Sequence, residues 1–238
     1  MTFQQIRTSE WPFIIGHRGG AGQAYENSLA AFRKAAGSGA ARCDGVELDI
    51  HVSSDGAFVV HHDPVVASGG AIGNLTLAQL RQELLPDGSV IPTLQEVLAI
   101  AGKLSVFVEV KDLPVRYDEQ LLAVVAATVH PERLHVHSFD HRIVARLRRK
   151  STGLSTGVLS CSYPVDPIGQ VRQAGANTLW QTWELIDRPM VEVCAGEGIS
   201  LIAWTVDSEP VARHLIGLGV TMLCGNWPDR LRQALPVS

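Results

Sequence analysis

The chain reads as a single α/β domain, residues 1–238, folded as a (β/α)₈ barrel of the TIM type with a β-hairpin arm after its second strand. Three observations predict this. Short apolar runs begin at Phe13, Gly45, Leu104, Leu134, Ser155, Thr178, Ser200 and Val220 and alternate with helical patterns, the rhythm of repeated βα units. A length of 238 residues suits eight such units in one domain. Polar and charged residues gather at the C-terminal ends of the runs, where a barrel carries its functional groups. An open doubly wound sheet is the alternative.

The elements follow in order. Phe13–Gly16 is a buried strand that runs into a glycine loop, His17-Arg18-Gly19-Gly20. A helix from Leu29 to about Ala36 is capped by Asn27 or Ser28. Val46 to Pro64 then reads as two strands joined at Asp55-Gly56, a pair suited to a two-residue hairpin loop because both positions tolerate positive φ. That loop sets a register in which Asp49 faces His62 and His51 faces Val60. Glu47, Asp49, His51, Val60 and His62 then share one face, and Leu48, Ile50, Val52, Val59 and His61 the other. Thr76 caps a helix through Leu80 and Leu84, and Thr93 with Glu96 forms a capping box for Leu94–Ala101. Strands at Leu104–Val110, Leu134–His137, Ser155–Leu159, Thr178–Trp180, Ser200–Val206 and Val220–Cys224 alternate with helices. These run from about Tyr117 to Val129, from Arg142 to Arg149, through Val171, from Pro189 to Glu197 and from Pro210 to Leu218. A closing helix follows Pro228.

Composition narrows the function. Apolar residues make up 46% and charged residues 18%, which supports a large core and argues against disorder. A net charge of −4 with no basic run disfavours nucleic acid as a partner. Cys43, Cys161, Cys194 and Cys224 show no CxxC spacing and read as reduced thiols of a cytoplasmic protein. The N-terminal stretch Met1–Pro12 has no apolar core of an export signal. No apolar run reaches the ~18 residues of a membrane span, and no amphipathic basic helix suggests membrane attachment.

The candidate site is a set of strand ends. Acidic side chains are unusual inside strands, so Glu47, Asp49 and Glu109 read as three carboxylate ligands of one divalent cation. All-oxygen donors suit Mg²⁺ or Ca²⁺, with Mn²⁺ as a further candidate. Arg18 and Lys111 are cations able to hold an anionic group, and Trp204 is a candidate substrate platform. His17 and His62 are candidate general acid and base near neutral pH. Together these groups suggest phosphodiester cleavage of a small molecule. His51 reads as a rim residue, Asn27 as a helix cap, and His135, His137, Trp180 and Trp183 as structural.

Several motifs, in order along the chain, resemble the glycerophosphodiester phosphodiesterase family. They are His17-Arg18-Gly19-Gly20, Glu26-Asn27-Ser28 with Ala31-Phe32, Val46-Glu47-Leu48-Asp49, and Ser54-Asp55-Gly56 with Val59-Val60-His61-His62-Asp63-Pro64. Ile91-Pro92-Thr93-Leu94, Val108-Glu109-Val110-Lys111, Ser138-Phe139-Asp140 and Trp204-Thr205-Val206-Asp207 complete the set. The resemblance implies a phospholipase-C-like barrel that hydrolyses glycerophosphodiesters to an alcohol and glycerol 3-phosphate. It implies a cation on Glu47, Asp49 and Glu109 and catalysis by His17 and His62. In the family's mechanism a substrate hydroxyl attacks phosphorus, and water opens the resulting cyclic phosphate.

The chain departs from the family pattern in three places. Val65-Val66-Ala67-Ser68-Gly69-Gly70 replaces a common Arg-Thr-Thr stretch, Gly225-Asn226-Trp227-Pro228 stands where Thr-Asp-x-Pro is common, and Ala24-Tyr25 stands where proline is frequent. None touches the expected metal or acid–base residues. A phosphodiesterase acting on a lysophospholipid or phosphoinositol compound, and a barrel that binds anionic metabolites without turnover, are the competing functions.

Overall fold

The computed structural model describes residues 12–37 and 43–235. The N-terminal stretch considered for an export signal, and the ends of the expected 1–238 domain, lie mostly outside the described residues. Eight parallel strands form a closed barrel: β1 (Phe13–Gly16), β2 (Gly45–Val52), β4 (Ser105–Val110), β5 (Leu134–Ser138), β6 (Ser155–Ser160), β7 (Thr178–Thr182), β8 (Ser200–Trp204) and β9 (Met222–Gly225). Pairing of β1 with both β9 and β2 closes the circle. The antiparallel arm β3 (Phe58–Val60) extends from β2.

The alternation along each strand separates an outer core from the barrel interior. Val46, Leu48, Ile50 and Val52 of β2 pack outward with Val106, Val108 and Val110 of β4 and with Phe32, Val97 and Leu121 of the surrounding helices. Across the barrel, Val158, Leu179, Leu201 and Leu223 pack outward against a second set of helices. Their partners in alternation point inward, where Phe13, Ile15, Phe107, Trp180, Ile202 and Met222 fill the centre. Two inward glycines make room for the largest rings. A Cβ on Gly45 would meet the Phe107 ring at 2.8 Å, and one on Gly157 would meet Trp180 at 2.9 Å.

Three details differ from the sequence expectation. The hairpin loop holds three residues, 54–56, because Ser53 both donates to and accepts from Ala57 across it. Gly56 takes φ +87°, as in a turn followed by a left-handed residue. The extra residue shifts the register by one, so Ile50 pairs with Val60 and His51 with Val59. The expected pairings of Asp49 with His62 and of His51 with Val60 are therefore corrected. The helix capped by Thr76 covers only Leu77–Leu80; Leu84 instead forms a bridge to Val90 around the Pro86-Asp87-Gly88 turn. Ser28, not Asn27, caps the helix Leu29–Ala36, accepting from the Ala31 amide.

Candidate active site

The strand ends position the site. Glu47 and Asp49 alternate on the inward face of β2, and Glu109 lies beside Asp49 on β4. His137 of β5 pairs in turn with Glu109. His17 and Arg18 occupy a kinked turn directly after β1, with Arg18 left-handed at φ +50°. That turn points the Arg18 amide at Glu47, to which it donates at 3.0 Å. His17, Arg18, Glu47, His62, Glu109, Lys111, Trp204 and His137 line one cavity of about 100 Å³. A second cavity of about 480 Å³, lined by His51, Asp63 and Asp112, adjoins it through His62 and Lys111.

His62 reaches this cavity by a different route from the one its sequence position suggests. β3 ends at Val60, and the chain beyond it leaves strand geometry, so the side chain is not bound by the strand's alternation. Its Nδ1 bonds the Asp63 carboxylate at 2.8 Å. A carboxylate only accepts, so Nδ1 carries the hydrogen and Nε2 is left for chemistry. The His51 ring lies 3.1 Å from the His62 carbonyl and supports the loop from below.

His17 is oriented by an amide. Asn226 donates through Nδ2 to one Asp207 oxygen, and its backbone N–H donates to the other, each at 2.7 Å. The Asn226 carbonyl therefore faces Nδ1 of His17 at 2.8 Å and accepts from it. Nε2 is left as a lone pair, 3.9 Å from Glu47. Burial and the neighbouring Arg18 charge hold His17 below the usual imidazole range, outweighing the opposing pull of Asn226 and Asp49.

The carboxylates are not equivalent. Asp49 is buried, which favours its neutral form, but Lys111, Arg18 and Asn27 outweigh burial and hold it at about 2. Lys111 Nζ sits 2.9 Å from one oxygen. Asn27 donates to the other at 2.9 Å, and Arg18 Nε lies 3.4 Å from it. Glu109, 2.7 Å from Lys111, is nonetheless raised to about 7 by burial and by Asp49. Glu47 is raised well above the carboxylate range by burial, Asp49 and Glu109. Two buried carboxylates whose charge the nearby cations only partly offset, with a histidine beside them, are a donor set that suits a divalent cation. Glu47, Glu109 and a ring nitrogen of His137 bring ligand atoms within 4.8 Å of one another. This trio is a candidate divalent-metal site, and Asp49 lies beside it.

The chain matches the glycerophosphoryl diester phosphodiesterase family over residues 17–230. The chain belongs to that family. A glycerophosphodiester phosphodiesterase of Caldanaerobacter subterraneus subsp. tengcongensis is 30% identical over 235 residues, covering 92% of this chain and 95% of the relative. A Galdieria sulphuraria crystal structure, named as a candidate glycerophosphodiester phosphodiesterase, superposes with a TM-score of 0.85 at 25% identity. It covers 94% of this chain and 98% of that one. An Oleispira antarctica phosphodiesterase, solved with the product sn-glycerol-3-phosphate, has a TM-score of 0.79 at 23% identity, covering 96% and 98%.

In this family member the structure brings all the expected site residues to one cavity except Asp49, which lies behind it as the shared partner of Arg18, Lys111 and Asn27. Sequence reasoning missed four contributors. Asn27 is buried at φ +55° and holds Asp49 rather than a helix end. Asn226, visible only as a departure from the family pattern, orients His17. His137 lies on the inward face of its strand, stacked on Trp180 at 4.1 Å. Phe139 packs edge-on against Trp204, 5.6 Å between centroids, on the cavity wall. The inward phase of Glu109 and the parallel pairing of β4 with β5 were the signal that could have found His137. A larger apolar groove of about 600 Å³, lined by Leu98, Ala101, Leu104 and Leu134, opens at the opposite end of the strands. That end of a barrel serves stability.

Proposed function

We propose that this enzyme hydrolyses glycerophosphodiesters to an alcohol and glycerol 3-phosphate, with His17 as general base and His62 as general acid. The observation that carries the proposal is the convergence of both histidines on one small cavity with Glu47, Glu109, Arg18 and Lys111. His17 is buried, held below the usual imidazole range and presents a lone pair, which suits removal of a proton from a substrate hydroxyl. His62 is more exposed, and its bond from Nδ1 to Asp63 fixes the ring with Nε2 free, which suits exchange of a proton with the leaving oxygen. Attack by the neighbouring hydroxyl of the glycerol gives a cyclic phosphate and the free alcohol. His62, now deprotonated, takes a proton from water as it opens the ring, and His17 returns its proton to the glycerol oxygen.

Glu47 and Glu109, with Asp49 as the third carboxylate, would hold a divalent cation, which would supply charge neutralisation to the phosphoryl group. Arg18 and Lys111 add two fixed cations at the anion. The Trp204 indole N–H is buried without a partner among the described residues, so Trp204 with Phe139 forms an aromatic wall with one donor for the substrate. The adjoining cavity beside His62 receives the leaving alcohol, since His62 lies between the two spaces. No helix among the described residues is long and apolar enough to cross a membrane.

The test is release of glycerol 3-phosphate from glycerophosphocholine, glycerophosphoethanolamine and glycerophosphoinositol. Product from any of them supports the assignment and ranks the head groups. Products that stop at a cyclic phosphate would favour another phosphodiester substrate. Silence on all three and on a chromogenic diester would leave a binding-only barrel.

A further inference from the structure

We infer that His137 is a nitrogen ligand of the cation held by Glu47 and Glu109, and that it biases the centre toward Mn²⁺, Co²⁺ or Zn²⁺ over Mg²⁺ and Ca²⁺. The inference rests on the proposed cation site and names its selectivity. Three observations carry it. His137 closes the trio whose ligand atoms lie within 4.8 Å of one another, and Asp49 is not part of that trio. Two donors at about 2.1 Å from one ion are at most about 4.2 Å apart, so small side-chain shifts complete the contact. Both Asp49 oxygens are engaged, one by Lys111 and the other by Asn27 and Arg18, and Lys111 also engages one Glu109 oxygen, so the imidazole adds a neutral donor beside these carboxylates.

The second observation is the ring itself. His137 is 1% exposed, and its Nδ1 has no hydrogen-bond partner among the described residues. A buried imidazole nitrogen without a partner is rare in folded proteins. Third, the ring is held rigidly. It stacks on Trp180 with an interplanar angle of 6°. Gly157, where a Cβ would come within 3.3 Å of the His137 Cβ and 2.9 Å of Trp180, leaves room for that stack. A rigid ring with one nitrogen within reach of two carboxylates is a prepared ligand position.

The donor set decides the ion. Mg²⁺ and Ca²⁺ take oxygen ligands. Imidazole suits later divalent ions, whose affinity for mixed nitrogen and oxygen sites rises along the Irving–Williams series. A carboxylate pair with one imidazole therefore binds Mn²⁺, Co²⁺ and Zn²⁺ with a contribution that Mg²⁺ and Ca²⁺ do not receive.

The experiment measures the affinity of the chelator-stripped protein and of His137→Gln for Zn²⁺, Co²⁺, Mn²⁺, Mg²⁺ and Ca²⁺ by calorimetry. Pulsed EPR of the Mn²⁺-loaded unaltered protein is recorded alongside. The expected result is an imidazole nitrogen coupling in the spectrum. The variant should weaken Zn²⁺ and Co²⁺ by 10–100-fold, the scale on which even outer ligands act, and Mg²⁺ and Ca²⁺ by less than about threefold. A spectrum without nitrogen coupling, or equal weakening of all five ions, would overturn the inference and leave the proposed reaction standing. Failure of the unaltered protein to bind any of these ions would remove the cation site and the inference with it. If His137→Gln does not fold, the spectrum decides alone.

Discussion

The Asn226 carbonyl accepts a 2.8 Å hydrogen bond from Nδ1 of His17, and Asp207 settles its direction by accepting from the Asn226 amide group. An amide has a donor and an acceptor end, so pinning one end fixes the other. The family pattern often has a carboxylate at this position. Here the carboxylate stands one step further back, and the histidine meets a neutral acceptor. The arrangement holds His17 as one tautomer and keeps the Asp207 charge one residue removed from the ring, where its pull toward protonation is outweighed by burial and Arg18.

Replacing Asn226 with leucine removes that lock. The expected outcome is a fall in kcat on the order of 10²-fold, the lower end of what a general base contributes. Substrate binding is not the target, so KM should stay within about threefold. Steady-state kinetics on one glycerophosphodiester check both values. A KM effect with unchanged kcat would reassign Asn226 to substrate binding.

Asn27 tests whether Asp49 needs its buried donor. The Asn27→Gly and Asn27→Ala proteins both lose the bond to Asp49, which costs about 1–3 kcal/mol. Alanine also carries the left-handed backbone penalty at φ +55°, about 1 kcal/mol more. Denaturant unfolding should therefore rank the native chain above Asn27→Gly and Asn27→Ala last. Equal stability of the two variants would contradict the backbone part of the account.

His135 predicts sensitivity to mild acid. It is fully buried against Phe107, 4.5 Å between ring centroids, and burial lowers it from 6.5 to about 3. Below pH 6.5 the unfolded chain takes up a proton that the folded chain refuses, so stability falls as pH drops from about 6.5 toward 3. The slope from this one group approaches about 1.4 kcal/mol per pH unit. His135→Leu should remove that share of the slope, as read from urea unfolding between pH 6.5 and 4.5. An unchanged slope would show that His135 does not titrate between the two states.

Much of this was legible in residue order because the barrel repeats a simple rule. Apolar runs that end in Glu109-Val110-Lys111 or His17-Arg18 give their strands away, and period-two alternation puts Glu47 and Asp49 on one face. What was not legible depended on contacts distant in sequence. Ser53 joins the hairpin turn through its hydroxyl, which lengthens the loop and shifts the register. His62 stays in the site because the strand stops two residues before it. Asn27 looked like a helix cap beside Ser28, since nothing local shows that the chain turns left-handed there to reach Asp49, 22 positions away. Leu80 and Leu84 have helical spacing, yet Pro86-Asp87-Gly88 turns the chain back before a second turn forms.

The most direct test strips the protein of divalent ions, adds them back singly, and follows glycerol 3-phosphate from glycerophosphocholine with His17→Ala and Glu47→Ala alongside. The account predicts no product without a cation, product on add-back, and a loss of about 10²-fold or more in His17→Ala. Glu47→Ala should lose the response to added cation. Full turnover by the stripped protein, or by either variant in a folded state, would contradict the assignment of this cavity.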